Sequence, residues 1–245
     1  LVPERLRGVL QVGGWVQVPF GRGQTHAFVV EPPRQTFELP AGLSPKNLKE
    51  VIDAGTPESA LPADVWELCR WTKDYYLAPL GEVLNCAAPA AALGLRSTKR
   101  TPREIKWELR SDTHIELSEE QKEALAQLEK ARLDPTGLRI ALLEGVTGSG
   151  KTELYLELAR KTLAEGRSVL LLVPEIALTP QLHERFERGL GEAIALWHSA
   201  LADGVRRDLG AALSSGSLRM VVGARSAIFA PIKDLGLIIV DEEHD

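Results

Sequence analysis

The segment Gly145-Val146-Thr147-Gly148-Ser149-Gly150-Lys151-Thr152 constrains this 245-residue chain more than any other, because few folds have a use for it. Its glycines let consecutive backbone N–H groups turn toward one point, where a helix N-terminus adds partial positive charge. Lys151 then reaches the β- and γ-phosphates of a nucleoside triphosphate, and Thr152 supplies a hydroxyl for magnesium. The apolar run Arg139–Glu144 ahead of the segment reads as a buried strand, and Glu153–Arg160 behind it has helical periodicity. Strand, phosphate loop and helix in that order make a P-loop unit and predict an α/β fold.

The remainder of the second half keeps the same rhythm. A capping-box start at Ser118-Glu-Glu-Gln121 opens a helix to about Ala131, and Asp134–Gly137 is a turn. Strands follow at Ser168–Val173, Ala193–Leu196, Leu218–Val222 and Leu237–Val240, with helices near Thr179–Gly189 and Asp203–Leu213 between them. Alternating strands and helices imply a parallel sheet with right-handed crossovers.

The first half has a different composition. Eleven of the fifteen prolines fall at or before Pro102, which marks a second domain. Trp15–Val18, the turn Pro19–Gly23 and His26–Glu31 read as a small antiparallel β unit. Leu61–Leu80 reads as a helix whose buried face draws on Val65, Leu68, Cys69, Trp71, Thr72 and Tyr75 or Tyr76; Arg96–Thr113 is a basic linker. A net charge of −5 gives no global attraction to nucleic acid, so DNA contacts must come from local patches. Two cysteines, Cys69 and Cys86, without Cys-x-x-Cys spacing, read as reduced structural thiols and leave this chain without a zinc site. With neither a leader nor an apolar run of membrane-spanning length, a cytoplasmic protein without membrane contact is expected.

The carboxylates of Asp241-Glu-Glu-His244 follow four apolar residues, at the strand end where open α/β sheets place their ligands. There Asp241 would hold magnesium with Thr152, and Glu242 would orient or deprotonate the attacking water. His244 is either a local hydrogen-bonding residue or a sensor coupling nucleotide state to the rest of the chain; an acidic helix cap is the plainer reading of the whole box. Val173–Gln181 leaves its strand through a proline turn, offering backbone at Pro174 and the Thr179 hydroxyl to single-stranded phosphates. Gly223–Pro231 offers Arg225 and Ser226 in the same way. An ordinary loop, and a salt bridge for Arg225, are the alternatives. Gln121 is either a reader of the adenine edge or a surface glutamine.

Taken in order, Leu117–Gln121, Gly145–Thr152, Val173–Leu182, His198-Ser199, Gly223–Pro231 and Asp241–His244 resemble the PriA family of bacterial primosomal replication restart helicases. Upstream, Val18–Arg22 and Trp71–Gly81 are similar to that family's amino-terminal domain, which binds the 3′ end of a leading strand. The resemblance divides the chain into an amino-terminal DNA-binding domain over 1–95, a linker over 96–117 in place of the family's winged helix, and a first RecA-like domain over 118–245. It implies ATP and Mg2+ as cofactors, with catalytic Lys151, Asp241 and Glu242 and nucleotide contacts from Gln121 and Gly145 through Thr152. Forked and single-stranded DNA, primosome proteins and single-stranded-DNA-binding protein are the partners it implies, with nucleoid association in the cytoplasm.

Three departures from the family pattern qualify these expectations. Gly223-Ala224-Arg225-Ser226 carries alanine where the family usually has threonine, and since the match begins at Leu1-Val-Pro-Glu4 the chain is expected to lack the family's preceding strand. The second RecA-like domain, its arginine finger and the zinc-binding insertion would lie beyond Asp245. A fragment that hydrolyses ATP poorly is therefore the expectation, with a non-catalytic fork-binding scaffold as the main alternative and a duplex translocase as a weaker one.

Overall fold

The computed structural model describes residues 1–34, 39, 44, 47–56, 60–88, 116–134, 139–146 and 148–243. The chain divides into two compact units, Leu1–Thr101 with Ala202–Arg207, and Pro102–Leu201 with Asp208–Asp245.

In the first unit, β1 (Trp15–Phe20) and β2 (Gly23–Phe28) form an antiparallel hairpin, and β3 (Asp53–Ala54) pairs with the other edge of β1. The reversal is tighter than the composition suggests. Pro19 and Phe20 belong to the strand, and Gly21, at φ +58°, makes a two-residue loop with Arg22. The second strand accordingly starts at Gly23 and ends at Phe28 rather than running from His26 to Glu31.

The single helix expected over Leu61–Leu80 is two helices, α1 (Ala63–Tyr76) and α2 (Leu80–Ala87). Leu77 takes a left-handed conformation at φ 52°, and Pro79, which lacks an N–H, caps α2. Val65, Trp66 and Cys69 of α1 are buried, as are Val83, Leu84 and Ala87 of α2. Trp71, Tyr75 and Tyr76, expected on the buried face, are instead exposed. At about 100° per residue, Trp71 lies on the far side of α1 from Cys69, Tyr75 follows one turn later on the same stripe as Trp71, and Tyr76 closes the last turn. The three rings cluster together, with Trp71 stacked on Tyr75 at 4.7 Å. Both cysteines are free thiols; burial pushes that of Cys69 up to about 11.

The second unit is an α/β RecA-like domain. Its sheet contains β4 (Ser168–Leu172), β5 (Ile194–Trp197), β6 (Met220–Gly223) and β7 (Leu235–Val240), all parallel, in the order β5-β6-β4-β7. The helices are α3 (Glu119–Leu133), α4 (Lys151–Ala164), α5 (Pro180–Leu190) and α6 (Asp203–Ser215). Strand side chains alternate between two cores. Val169, Leu171, Met220 and Val222 pack with Tyr155, Leu156, Ala159 and Phe186 of α4 and α5. Leu170, Ala195 and Val221 pack with Leu209 and Leu213 of α6. Burial on both faces explains why β4 and β6 read as unbroken apolar runs.

Two expectations about this sheet are corrected. Arg139–Glu144 is not a strand: Arg139 is left-handed at φ 49°, Ile140 and Leu142 are exposed, and Leu143 alone packs against the α4–α5 core. Apolar character supplies no ladder by itself; a strand exists only where a neighbour takes its hydrogen bonds. Leu237–Val240, whose unbroken apolar run reads as a central strand of a parallel sheet, belongs to an edge strand among the described residues, with Ile238 and Val240 exposed.

Candidate functional site

The site lies along the carboxyl ends of the strands, where hydrogen bonds lace the four exits side by side. Asp241 N–H donates to Leu172 O at 2.9 Å, Val173 N–H to Gly223 O at 2.9 Å, and Ala224 N–H to Trp197 O at 3.1 Å. At Gly223 a Cβ would come within 2.4 Å of Trp197 O, so this close approach needs glycine. The segments beginning His198-Ser199, Ala224-Arg225, Val173-Pro174 and Asp241-Glu242 therefore share one edge.

The phosphate loop curls ahead of α4. Gly148 and Gly150 both have φ +83°, Ser149 N–H donates to Val146 O at 3.1 Å, and Lys151 Nζ donates to Gly145 O at 3.2 Å. Gly150 occupies the N-cap of α4 and no side chain caps that helix, so its first-turn donors are offered at the loop. Across from it, Lys151 Nζ lies 3.8 Å from Glu242 Oε1, and Tyr155 Oη donates to Asp241 Oδ1 at 2.9 Å. Burial, with the Asp241 carboxylate beside it, pushes the Tyr155 hydroxyl well up, so it remains a donor. Glu242 adopts φ 49°, a left-handed conformation costly for a non-glycine residue. Lys151, Asp241 and Glu242 thus converge from segments ninety residues apart, with Thr152 at the second position of α4. A glycine cradle, an uncapped helix start, a lysine, a hydroxyl and a carboxylate form a donor set that fits a nucleotide phosphate chain with an oxygen-preferring cation.

Gln121 is held at both ends of its amide. Its Oε1 accepts from Ser118 N–H at 2.9 Å in the capping box of α3, and its Nε2 donates to Ser149 O at 3.2 Å in the phosphate loop. Reading an adenine edge would require it to leave these partners.

The residues assigned to DNA are placed unequally. Pro174 precedes a short turn over Glu175–Ala177, and Thr179 Oγ1 caps α5 by accepting from Leu182 N–H at 3.3 Å. Arg225 is exposed, whereas Ser226 Oγ is buried and has no hydrogen-bond partner among the described residues. Thr147 and His244 lie outside the described residues, as does nearly all of the 96–117 linker. Sequence reasoning missed Tyr155 and Glu175. The former was absorbed into the apolar stripe of α4, and its spacing of four residues from Lys151 was the available signal. Glu175 accepts from Ser199 Oγ at 3.0 Å, a tie between two strand exits that no local pattern announces.

Fold and site define a P-loop α/β domain preceded by a smaller unit of a β-hairpin and two helices, and comparison with known proteins assigns both. The PriA 3'DNA-binding domain (3'BD) family matches residues 1–89, and the family described as "Type III restriction enzyme, res subunit" matches residues 114–245. Replication restart protein PriA of Rickettsia felis is 33% identical over 247 aligned residues, covering 100% of this chain, and that of Treponema pallidum 37% over 243, covering 97%. The Helicobacter pylori J99 relative is 42% identical over 190 residues, covering 78% of this chain and 28% of its own length. The chain belongs to the PriA family of replication restart proteins. It spans about a third, 35%, of the length of the Rickettsia and Treponema relatives.

Proposed function

We propose that this chain binds ATP with Mg2+ in the P-loop of residues 118–245 and DNA through residues 1–95, residues 96–117 joining the two. In the whole protein the two activities would serve replication restart: recognition of stalled or abandoned forks, ATP-driven unwinding, and primosome assembly with single-stranded-DNA-binding protein as a partner, in the nucleoid-associated cytoplasm. The convergence of Lys151 with Glu242, and of α4 with Asp241, is the observation that carries the nucleotide reading.

The residues divide the chemistry as follows. Backbone N–H groups from Gly145 to Thr152 cradle phosphate oxygens, and Lys151 neutralises the β- and γ-phosphates, giving up its ion pair with Glu242. Thr152 and Asp241 hold Mg2+, which when bound screens charge on the transferring phosphoryl group. Glu242, released from Lys151, orients the attacking water and accepts its proton. Pro174, Thr179, Arg225 and Ser226 contact single-stranded DNA along the neighbouring exits, and His244 couples the two sites. Gln121 contacts the nucleotide once it has exchanged its hold on Ser149.

Titration of a fluorescent ATP analogue into the chain with Mg2+ tests this reading. Saturable binding is expected, weakened about tenfold or more by Lys151→Ala because a charge-assisted contact is lost. Retention of full affinity by that variant removes Lys151 from the site. Fork binding without any nucleotide binding would instead establish the non-catalytic scaffold.

A further inference from the structure

Asp241 is half-buried, at a strand end that leaves room for more than one side-chain geometry. It is the first residue after the edge strand β7, its neighbour Val240 is 53% exposed, and Glu242 beyond it is left-handed. The hydrogen bond from Asp241 N–H to Leu172 O fixes the backbone but leaves the side-chain torsions free. A carboxylate on such a strand end samples several rotamers unless another group orients it.

Tyr155 is built to do so. Tyr155 is 8% exposed and belongs to the same buried cluster as Val222 and Ile239, the last on β7 itself, so the phenol is anchored in the core. Its hydroxyl meets Asp241 Oδ1 at 2.9 Å. As a neutral donor it takes one lone pair of one carboxylate oxygen and leaves the negative charge and the remaining lone pairs to a cation. It also stands one helical turn after Lys151 on α4, so one rigid element carries both the phosphate-binding lysine and the group that orients the opposing carboxylate.

We propose that Tyr155 is a positioning residue that holds the Asp241 carboxylate in the orientation Mg2+ requires, making cation affinity depend on the register between α4 and β7. The proposal rests on the reading that Asp241 holds Mg2+ beside a bound nucleotide. Loss of a partner that orients a metal-binding group costs about tenfold to hundredfold in metal affinity.

The test is a Mg2+ titration of the chain with a fluorescent ATP analogue present, for the unsubstituted protein, Tyr155→Phe, Asp241→Asn and the double variant, with thermal melting of each. The phenylalanine keeps the ring and removes the donor. Tyr155→Phe is expected to bind nucleotide in EDTA as the unsubstituted protein does, to need about tenfold more Mg2+ for half-saturation, and to add nothing in the Asp241→Asn background. An unchanged Mg2+ requirement, or an effect that persists in that background, overturns the role of Tyr155. A fall in melting temperature with equal loss of affinity in EDTA marks a packing residue and overturns it as well. No nucleotide binding by the unsubstituted protein sinks the nucleotide reading and this proposal together, an outcome distinct from the others.

Discussion

Gly150 shows how closely one residue can be constrained. It has φ +83°, and a Cβ there would lie 2.2 Å from Gln121 Nε2. Gly150→Ala therefore meets two penalties, about 1–2 kcal/mol for a left-handed alanine and the displacement of Gln121 from the Ser149 carbonyl. The expected outcome is an unfolding free energy lowered by about 1–2 kcal/mol and a weakened capping box at α3, read by chemical denaturation and by exchange of the Gln121 amide. Unchanged stability would mean that the loop relaxes away from this conformation. The glycine pattern announced a tight loop with left-handed residues from sequence alone, because backbone conformation is a local property. That Gln121 presses against Gly150 was not legible, since the two lie on different elements.

At the scale of elements, α3 has no buried residue and depends on a few specific ties. Arg132 joins its C-terminal turn to Glu165 at the end of α4 at 2.5 Å and to Glu129 at 3.2 Å. The Arg132 hydrogen bonds hold the Glu165 carboxyl below its ordinary 4.5, and the two carboxylates raise Arg132 in turn. Because the folded value is depressed, this contribution is complete above the unfolded pKa and is lost as pH falls through the folded one. Amides in the C-terminal half of α3 are thus expected to lose protection as pH falls below about 4, and Glu165→Gln to show the lowered protection at every pH. Identical pH profiles for the two proteins would detach α3 from this pair. Element types were largely legible: the capping box, α4 through α6 and the strands β4 through β6 fall within a few residues of their expected places. Arg139–Glu144 was misread because its apolar pattern says nothing of whether a neighbouring strand is at hand, and Trp71 and Tyr75 because an aromatic suits a buried face as well as an exposed cluster.

For the whole molecule, a net charge of −5 means that no long-range field draws DNA to the chain. Any affinity for single strands must be a sum of local phosphate contacts, each contributing about −0.7 to the slope of log K against log salt. Arg225→Ala is expected to weaken binding of single-stranded oligonucleotides evenly across sequences and to flatten that slope by about 0.7. A slope unaltered by the substitution removes Arg225 from the interface.

The sequence by itself determined the α/β class of the second half, the P-loop, the acidic strand end and the kinship with PriA, all of which reside in short contiguous patterns whose residue types have local physical consequences. Only the tertiary structure decided that Tyr155 reaches Asp241, that Glu242 meets Lys151 and that Gln121 braces Gly150. Each of these pairs residues distant in sequence, and their meeting follows from strand order and helix packing, which no window along the chain contains.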